Sequence, residues 1–349
     1  MELYNYNDTE ELNYNIVEKQ EDNLSGKNHL QKYILTFNSP YRTGVAENDI
    51  VHCELFLNQG CNPFTAAEAK PEYINNARPK TAIDTLLIAI HGFSSKKNKM
   101  GNYYYFINKA IEKNVSCAFI NLPFHLYRSP EKEKSGERLI YYDDVQTLEF
   151  FHQSVVDIKK FIDIISNILQ IKNIALCGLS LGSMVSLITM AYDKRIKKGI
   201  FLIGGGNWHE IHWGSALKFI LRGNCADEGQ MTEEKCRNFY SNFPDFLNKF
   251  KQINIEKIPF DIRECPELKK VTTRMCFLCD PMAFAHKLNP KNVLMINSKL
   301  DFYFSKKSTT SLWEELGKPE IYWLNNFHTS KILRNKKVIN RTLDFVLNG

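Results

Sequence analysis

The sequence predicts an α/β protein in which a mostly parallel central sheet carries helices on both faces and an inserted helical cap. Short apolar runs, typical of strands buried on both faces, alternate with amphipathic helical segments over two parts of the chain. Between these parts lies helical, aromatic-rich sequence without strand pairs. The predicted division is an N-terminal extension with early strands at 1–80, a core at 81–206 and 291–349, and a cap insertion at 207–290.

The elements follow one another in a regular order. The opening residues are acidic and rich in Asn and Tyr, and we interpret them as an arm or an edge decoration. Early strands at 31–37 and 50–57 precede a connection, 58–80, that holds three prolines. In the core, the apolar pattern predicts strands at 85–90, 116–122, 173–177, 200–203, 293–297 and 321–324. It predicts helices at 102–113, 145–169, 181–192, 306–316 and 336–347.

Composition places the chain among ordinary globular proteins. It has 349 residues, with 45 Lys and Arg against 39 Asp and Glu, and a formal net charge of +6. With 44% hydrophobic and 24% charged residues it is neither a disordered chain nor a disulfide-stapled miniprotein. Acids and bases are mixed along the chain, so the basic stretches at 96–99 and 331–337 are interpreted as solvated surface. We therefore expect no nucleic-acid partner.

The sequence also favours a cytoplasmic protein. The N-terminus has neither a basic start nor an apolar run, which predicts no secretory signal. Nine cysteines, an odd number without small-scaffold spacing, favour free thiols in a reducing compartment. The uncharged segment 173–192 is long enough for a bilayer, but Gly178 and Gly182 interrupt it, so a strand, a turn and a buried helix are predicted instead of a transmembrane segment.

The strongest motif is Gly178-Leu179-Ser180-Leu181-Gly182, which fits G-x-S-x-G. It follows an apolar strand and opens a helix, as a nucleophile elbow requires. The turn is tight, so both flanking positions need glycine, and it lifts the Ser180 hydroxyl above the sheet edge. The alternative is a serine in an ordinary glycine-rich turn.

Two backbone amides are the candidate oxyanion donors. One belongs to Leu181, directly after the serine, at the start of a helix. The other belongs to Phe93 in His91-Gly92-Phe93, which follows an early strand. We interpret His91 itself as structural and not as a base.

A nucleophilic serine needs a base, and the base needs an orienting carboxylate. Asp301 and His328 each follow a late strand, where the sites of open α/β sheets assemble. Rival carboxylates and bases remain at this stage, and they are Asp280, Glu210, His125, His209 and His286.

With these residues the sequence resembles the α/β-hydrolase superfamily of serine hydrolases, over residues 82–205 and 291–349. It is most similar to bacterial esterase-like members with a dienelactone-hydrolase or acyl-peptidase character, through Leu122-Pro123-Phe124-His125 with Arg128, and through Leu316 to Glu320. It departs from them at Phe327, where many members have glycine before the histidine. It also departs at Tyr303-Phe304, where many have proline after the acid.

The resemblance implies a cofactor-free, two-step acyl transfer on a small-molecule acyl substrate. Ser180 would attack an ester, thioester or amide carbonyl, His328 would take the serine proton, and Asp301 would orient His328. Phe93 and Leu181 would hold the oxyanion. Two alternatives remain: an acyltransferase with the same acyl-enzyme, and a non-catalytic binding protein with the hydrolase fold. A structure in which Phe327 turns His328 away from Ser180 would support the second.

The cap sequence leaves two questions open. Trp208 either contacts substrate or anchors the cap, and a run of aromatic residues at helical spacing either packs in the core or lines an acyl pocket: Phe239, Tyr240, Phe243, Phe246 and Phe250. The region also holds five cysteines, Cys225, Cys236, Cys265, Cys276 and Cys279. Their spacing matches no zinc site, so no metal is predicted.

Overall fold

The computed structural model describes residues 2–6, 13–20, 31–58 and 81–348. Most of the connection expected at 58–80 therefore lies outside the described residues. The strands are β1 Tyr14–Gln20, β2 Gln31–Asn38, β3 Ile50–Leu57, β4 Thr81–Ile90, β5 Ser116–Ile120, β6 Leu169–Leu179, β7 Ile196–Leu202, β8 Asn224–Cys225, β9 Gly229–Gln230, β10 Val293–Leu300 and β11 Glu320–Phe327. The two shortest, β8 and β9, pair only with each other.

The other nine strands form one sheet in the order β1-β2-β3-β5-β4-β6-β7-β10-β11. From β5 to β11 all neighbours are parallel, which confirms the mostly parallel sheet. β1, β2 and β3 are antiparallel and continue the same sheet, because β3 pairs with β5 from Cys53↔Ile120 to Phe56↔Cys117. The early strands assigned to an extension at 1–80 are therefore one edge of the central sheet.

The opening residues also contribute to the core. Leu3 and Tyr4 are fully buried, and the Tyr4 hydroxyl donates to the carbonyl of Leu278 at 2.9 Å. The arm or edge decoration expected here is thus an edge strand, β1, together with a buried anchor.

Helices cover both faces of the sheet. Their bounds are α1 Ala46–Asp49, α2 Gly101–Ile111, α3 Asp144–Ile168, α4 Leu181–Tyr192, α5 Trp208–His212, α6 Glu233–Tyr240, α7 Phe243–Phe250, α8 Pro266–Lys269, α9 Pro281–Ala285, α10 Lys306–Glu315 and α11 Lys336–Leu347. Apolar side chains of α2 and α11 belong to one core cluster. Those of α3, α4, α9 and α10 belong to a second cluster. Two buried layers thus enclose the sheet.

The insertion between β7 and β10 has two parts. Residues 208–240 line the pocket described below. Beyond them, Phe243, Phe246 and Phe250 of α7 pack on Phe277 and on Phe284 of α9, in the core cluster that also contains α3 and α4. The expected single aromatic face is broken at Ser241–Asn242, because Pro244 begins a new helix. For Phe243, Phe246 and Phe250 the structure favours core packing.

A buried polar network joins the antiparallel edge of the sheet to α3. Arg128 is fully buried and pairs with Asp157 at 2.7 Å, while its guanidinium also donates to the carbonyl of Asn48. Asp157 accepts in addition from the Ser39 hydroxyl at 2.6 Å. Because a buried charge is costly without partners, this arginine fixes the loop after β5 against the helix.

Burial makes one histidine a pH-sensitive element of stability. His125 is fully buried, and desolvation lowers its pKa to about 4 from 6.5. Its Nδ1 lies 2.7 Å from the carbonyl of Pro123. A base whose pKa falls on folding stabilises fully above the unfolded pKa, and the contribution is lost as pH falls toward the folded pKa.

We predict that His125→Asn flattens the pH dependence of stability between pH 6.5 and 4. Asparagine retains a nitrogen donor for Pro123 but does not titrate. Urea unfolding of both proteins across this range should show a slope lower in the variant by up to about 1.4 kcal/mol per pH unit, with the largest difference near the middle of the range. Parallel curves would contradict the prediction.

Candidate active site

Ser180 occupies the tight turn between β6 and α4. Its backbone has φ 57° and ψ −119°, a region that residues with a β-carbon rarely adopt. The Ser180 amide donates to the carbonyl of Leu202 at 2.8 Å, which ties the turn to the end of β7. The strained conformation directs the side chain out of the sheet edge.

The two glycines of the motif allow this turn to close. A β-carbon on Gly178 would lie 2.1 Å from the carbonyl oxygen of Gly182. A β-carbon on Gly182 would lie 2.5 Å from the carbonyl oxygen of Ile90 in β4. Neither backbone position therefore admits a side chain.

His328 and Asp301 reach Ser180 because β10 and β11 end at the same level. Leu300 pairs with Phe327 in the sheet register, so the acid and the base each follow a paired residue directly. His328 Nε2 lies 2.9 Å from Ser180 Oγ, and His328 Nδ1 lies 2.8 Å from Asp301 Oδ2. A carboxylate accepts only, so Nδ1 carries the proton and Nε2 is free to accept the Ser180 hydroxyl.

The environment of Asp301 holds the carboxylate in place. Its second oxygen, Oδ1, accepts the amides of Tyr303 and Phe304 at 2.7 and 2.9 Å, and its side chain is buried. The ring of Tyr303 packs edge-on against His328 at a centroid distance of 4.8 Å. The ring of Phe304 stacks on His328 at a centroid distance of 5.8 Å. The aromatic pair that replaces proline after the acid thus clamps the imidazole.

Phe327 does not turn the histidine away. Its side chain is 56% exposed and stacks on Phe302, while His328 points to Ser180. The residue that stands where glycine is common therefore projects to the surface beside the site.

The expected oxyanion donors flank the serine. The amides of Phe93 and Leu181 have no protein acceptor among the residues that the structure describes. Gly92 approaches the serine closely, since a β-carbon there would lie 3.2 Å from Ser180 Cβ. Its amide donates to the Tyr103 hydroxyl at 3.1 Å. Tyr103 was not anticipated, because nothing in the local sequence distinguishes it from a core residue of α2.

His91 is buried and structural. Its Nε2 accepts the Leu122 amide at 3.0 Å, so Nδ1 carries the proton toward the Gly92 carbonyl at 2.9 Å. Desolvation lowers its pKa to about 3, which keeps the ring neutral.

The rival acids and bases do not reach Ser180. None of the following hydrogen-bonds Ser180 in the described part of the chain: Asp280, Glu210, His125, His209 and His286. Asp280 accepts the amides of Asn207 and Trp208, both at 3.0 Å, and burial raises its pKa to about 6. Glu210 pairs with Lys307 at 2.7 Å.

A pocket of about 490 Å³ opens beside Ser180 and His328. Its walls are mostly apolar and come from α3, α4 and the first part of the insertion. They include Phe150, Phe151, Met184, Trp208, Ile211 and Leu217. The local sequence does not mark most of these positions as pocket-lining, because only the tertiary arrangement distinguishes an apolar residue in a pocket wall from one in the core.

Trp208 both anchors the insertion and lines the pocket. Its indole nitrogen donates to the Cys279 carbonyl at 3.3 Å, which anchors the insertion. Its ring also lines the pocket and packs edge-to-face on Phe151. Of the aromatic run in the insertion, Tyr240 reaches the pocket as well.

The cysteines of the insertion are free thiols. Cys225, Cys236 and Cys276 line the pocket, and burial raises the pKa of Cys236 to about 11. The described ranges hold no group of three or more His, Cys, Asp or Glu side chains placed to bind a metal ion. Nor do they contain a helix with the length and apolarity needed to cross a membrane.

Comparison with solved structures decides the fold. The acetyl xylan esterase of Paenibacillus sp. R4 superposes with a TM-score of 0.58 at 12% identity, over 97% of this chain and 90% of that one. Acetyl xylan esterase 1 of Thermoanaerobacterium sp. JW/SL YS485 gives 0.54 at 14%, over 95% and 87%. This chain has the α/β-hydrolase fold. The predicted fold class is confirmed.

Further comparisons agree with the fold. A cold-adapted esterase from an Arctic intertidal metagenomic library matches with a TM-score of 0.51 at 15% identity, over 94% of this chain and 95% of that one.

No family model matches the sequence. The uncharacterized protein YdjC of Bacillus subtilis (strain 168) is 39% identical over 69 residues, which is 20% of this chain and 60% of that protein.

The strain at Ser180 predicts a stability difference between two variants. The free energy of unfolding of Ser180→Gly should exceed that of Ser180→Ala by about 1 kcal/mol, because glycine adopts the positive φ without strain. Both variants lack the hydroxyl, so urea unfolding compares the backbone effect alone. Equal stabilities, or a more stable alanine variant, would show that the turn stores no strain.

Proposed function

We propose that the protein is a serine hydrolase that cleaves carboxylic esters with an apolar acyl group. The observation that carries the proposal is the continuous hydrogen-bond chain from Ser180 through His328 to Asp301 at an apolar pocket. The fold supports this proposal, and the solved structures named above are esterases.

The first half-reaction acylates Ser180. Its oxygen forms a bond to the ester carbonyl carbon while its proton passes to His328 Nε2. The carbonyl electron pair moves to oxygen, where the amides of Phe93 and Leu181 donate to the new oxyanion. Collapse of this intermediate breaks the bond to the alcohol, which leaves with the proton from Nε2.

The second half-reaction releases the acid. Water loses a proton to Nε2 as its oxygen attacks the acyl-enzyme, and the second oxyanion is held by the same amides. Its collapse returns the proton to Ser180 Oγ. Asp301 stays ionised throughout, fixes the Nδ1–H tautomer and stabilises the imidazolium.

Two alternatives from the sequence are weighed by this geometry. A histidine turned away from the serine would have supported the non-catalytic alternative, whereas Nε2 lies 2.9 Å from Oγ. An acyltransferase would use the same acyl-enzyme and differ in the second step. We take hydrolysis as the proposal, and the acyl group's distribution between water and an added alcohol is the measurement that separates the two.

Asp301→Asn should abolish most of the activity. Asparagine keeps the shape but favours the wrong histidine tautomer, so kcat on p-nitrophenyl esters should fall by about 10⁴. Glu210→Gln is the matched control, because Glu210 is a rival carboxylate that pairs with Lys307. If Glu210→Gln lost most of its kcat and Asp301→Asn kept its kcat, Asp301 would be rejected as the orienting acid.

Acyl-chain preference should follow the pocket. Between p-nitrophenyl acetate and octanoate, kcat/KM should rise by up to about fourfold per methylene that enters the pocket. Leu217→Trp, which fills part of the pocket wall, should lower kcat/KM for octanoate more than for acetate. A variant that lowers both substrates equally would place the acyl chain elsewhere.

A further inference from the structure

We propose that the mouth of the pocket docks on a lipid surface that bears anionic headgroups. The docking surface is an apolar collar, defined as Phe219, Leu300, Phe302 and Phe327. This inference goes beyond the proposed ester hydrolysis, and binding to the surface does not depend on it.

The collar side chains are strongly exposed. Phe219 is 82% exposed, Phe302 62%, Phe327 56% and Leu300 48%. In the part of the chain that the structure describes, no phenylalanine is as exposed as Phe219, Phe302 and Phe327. A cluster of exposed aromatic rings on a globular protein marks an interaction surface.

The collar belongs to the same chain segments that line the active-site pocket. Each phenylalanine lies next to a pocket-lining residue in the chain: Phe219 precedes Ile220, Phe302 precedes Tyr303, and Phe327 precedes His328. The same three segments therefore turn one set of side chains into the pocket and the next outward around its mouth.

Direct contacts hold the segments together. Phe302 and Phe327 stack with centroids 5.8 Å apart and planes inclined by 13°. The carbonyl of Phe302 accepts the amide of Ala216 at 2.8 Å, and Ala216 begins the short 3₁₀ turn that ends at Phe219. The collar is therefore built on connected backbone from both the core and the insertion.

The charge around the collar is positive. Residues 215–222, 298–307 and 326–331 hold six basic side chains, Lys218, Arg222, Lys299, Lys306, Lys307 and Lys331, of which Lys307 pairs with Glu210. The one acid in these segments is Asp301, which is buried and binds His328. Asp143 and Asp144 also line the pocket, where they accept the amides of Gln146 and Ala226. An apolar ring within basic residues is the combination that binds anionic lipid interfaces.

A second copy of the chain fits this surface poorly. A symmetric dimer through the collar would bring the same basic side chains of two protomers face to face. A lipid surface instead supplies both an apolar layer for the rings and negative charge for the lysines. It would also let an ester's acyl chain enter the adjacent pocket without crossing water.

Vesicle flotation tests the proposal with the intact protein. We expect binding to phosphatidylcholine vesicles that contain about one third phosphatidylglycerol, and much weaker binding to phosphatidylcholine alone. Phe219→Ser should raise the dissociation constant about tenfold. Lys218→Gln should raise it about fivefold at low salt and less at high salt.

Leu347→Ser is the matched control, because Leu347 is an exposed apolar residue, 46% exposed, on α11 away from the pocket. It should bind vesicles as the wild type does. Thermal unfolding of Phe219→Ser checks that the fold is kept. Wild-type protein that does not float with anionic vesicles, or Phe219→Ser that floats as well as wild type, would overturn the proposal.

Two other results have distinct meanings. A dimer in solution that Phe219→Ser dissociates, without vesicle binding, would assign the collar to a second copy and overturn the lipid proposal. Anionic-vesicle binding by a protein that hydrolyses no ester would support the collar and reject the proposed activity. The two proposals can therefore fail separately.

Discussion

The close approach of three backbone segments at the serine turn is the constraint on which the rest of this structure depends. Gly178 and Gly182 leave no room for a β-carbon against each other and against Ile90. Their absence of side chains lets β6, α4 and β4 meet, and it forces Ser180 into a positive-φ conformation. The surrounding sheet offsets the cost of this strain. The turn places the Ser180 hydroxyl above the edge of the sheet where the late strands end.

The acid and the base depend on the sheet register in the same way. β10 and β11 end as a pair at Leu300 and Phe327, so Asp301 and His328 emerge side by side. The next two residues after the acid then serve twice, because their amides bind Asp301 and their rings clamp His328. Departures from the family pattern at these positions are therefore compatible with an aligned histidine.

The sequence could predict that Ser180, Asp301 and His328 lie together, because each is a polar residue directly after a buried strand. It could not predict that β1–β3 continue the central sheet, since the pairing Cys53↔Ile120 links residues far apart in the chain. Nor could aromatic spacing separate Phe246, which is buried, from Phe219, which is 82% exposed. Both outcomes depend on tertiary contacts that no local pattern encodes.

The most direct test of an activated serine is covalent labelling with a fluorophosphonate, followed by intact mass measurement of wild type and Ser180→Ala. The account predicts one adduct on the folded wild type and none on the variant, because Ser180 has a histidine base within hydrogen-bond distance and donors for the phosphoryl oxygen. A folded wild type that takes no adduct, or a variant labelled to the same extent, would contradict it.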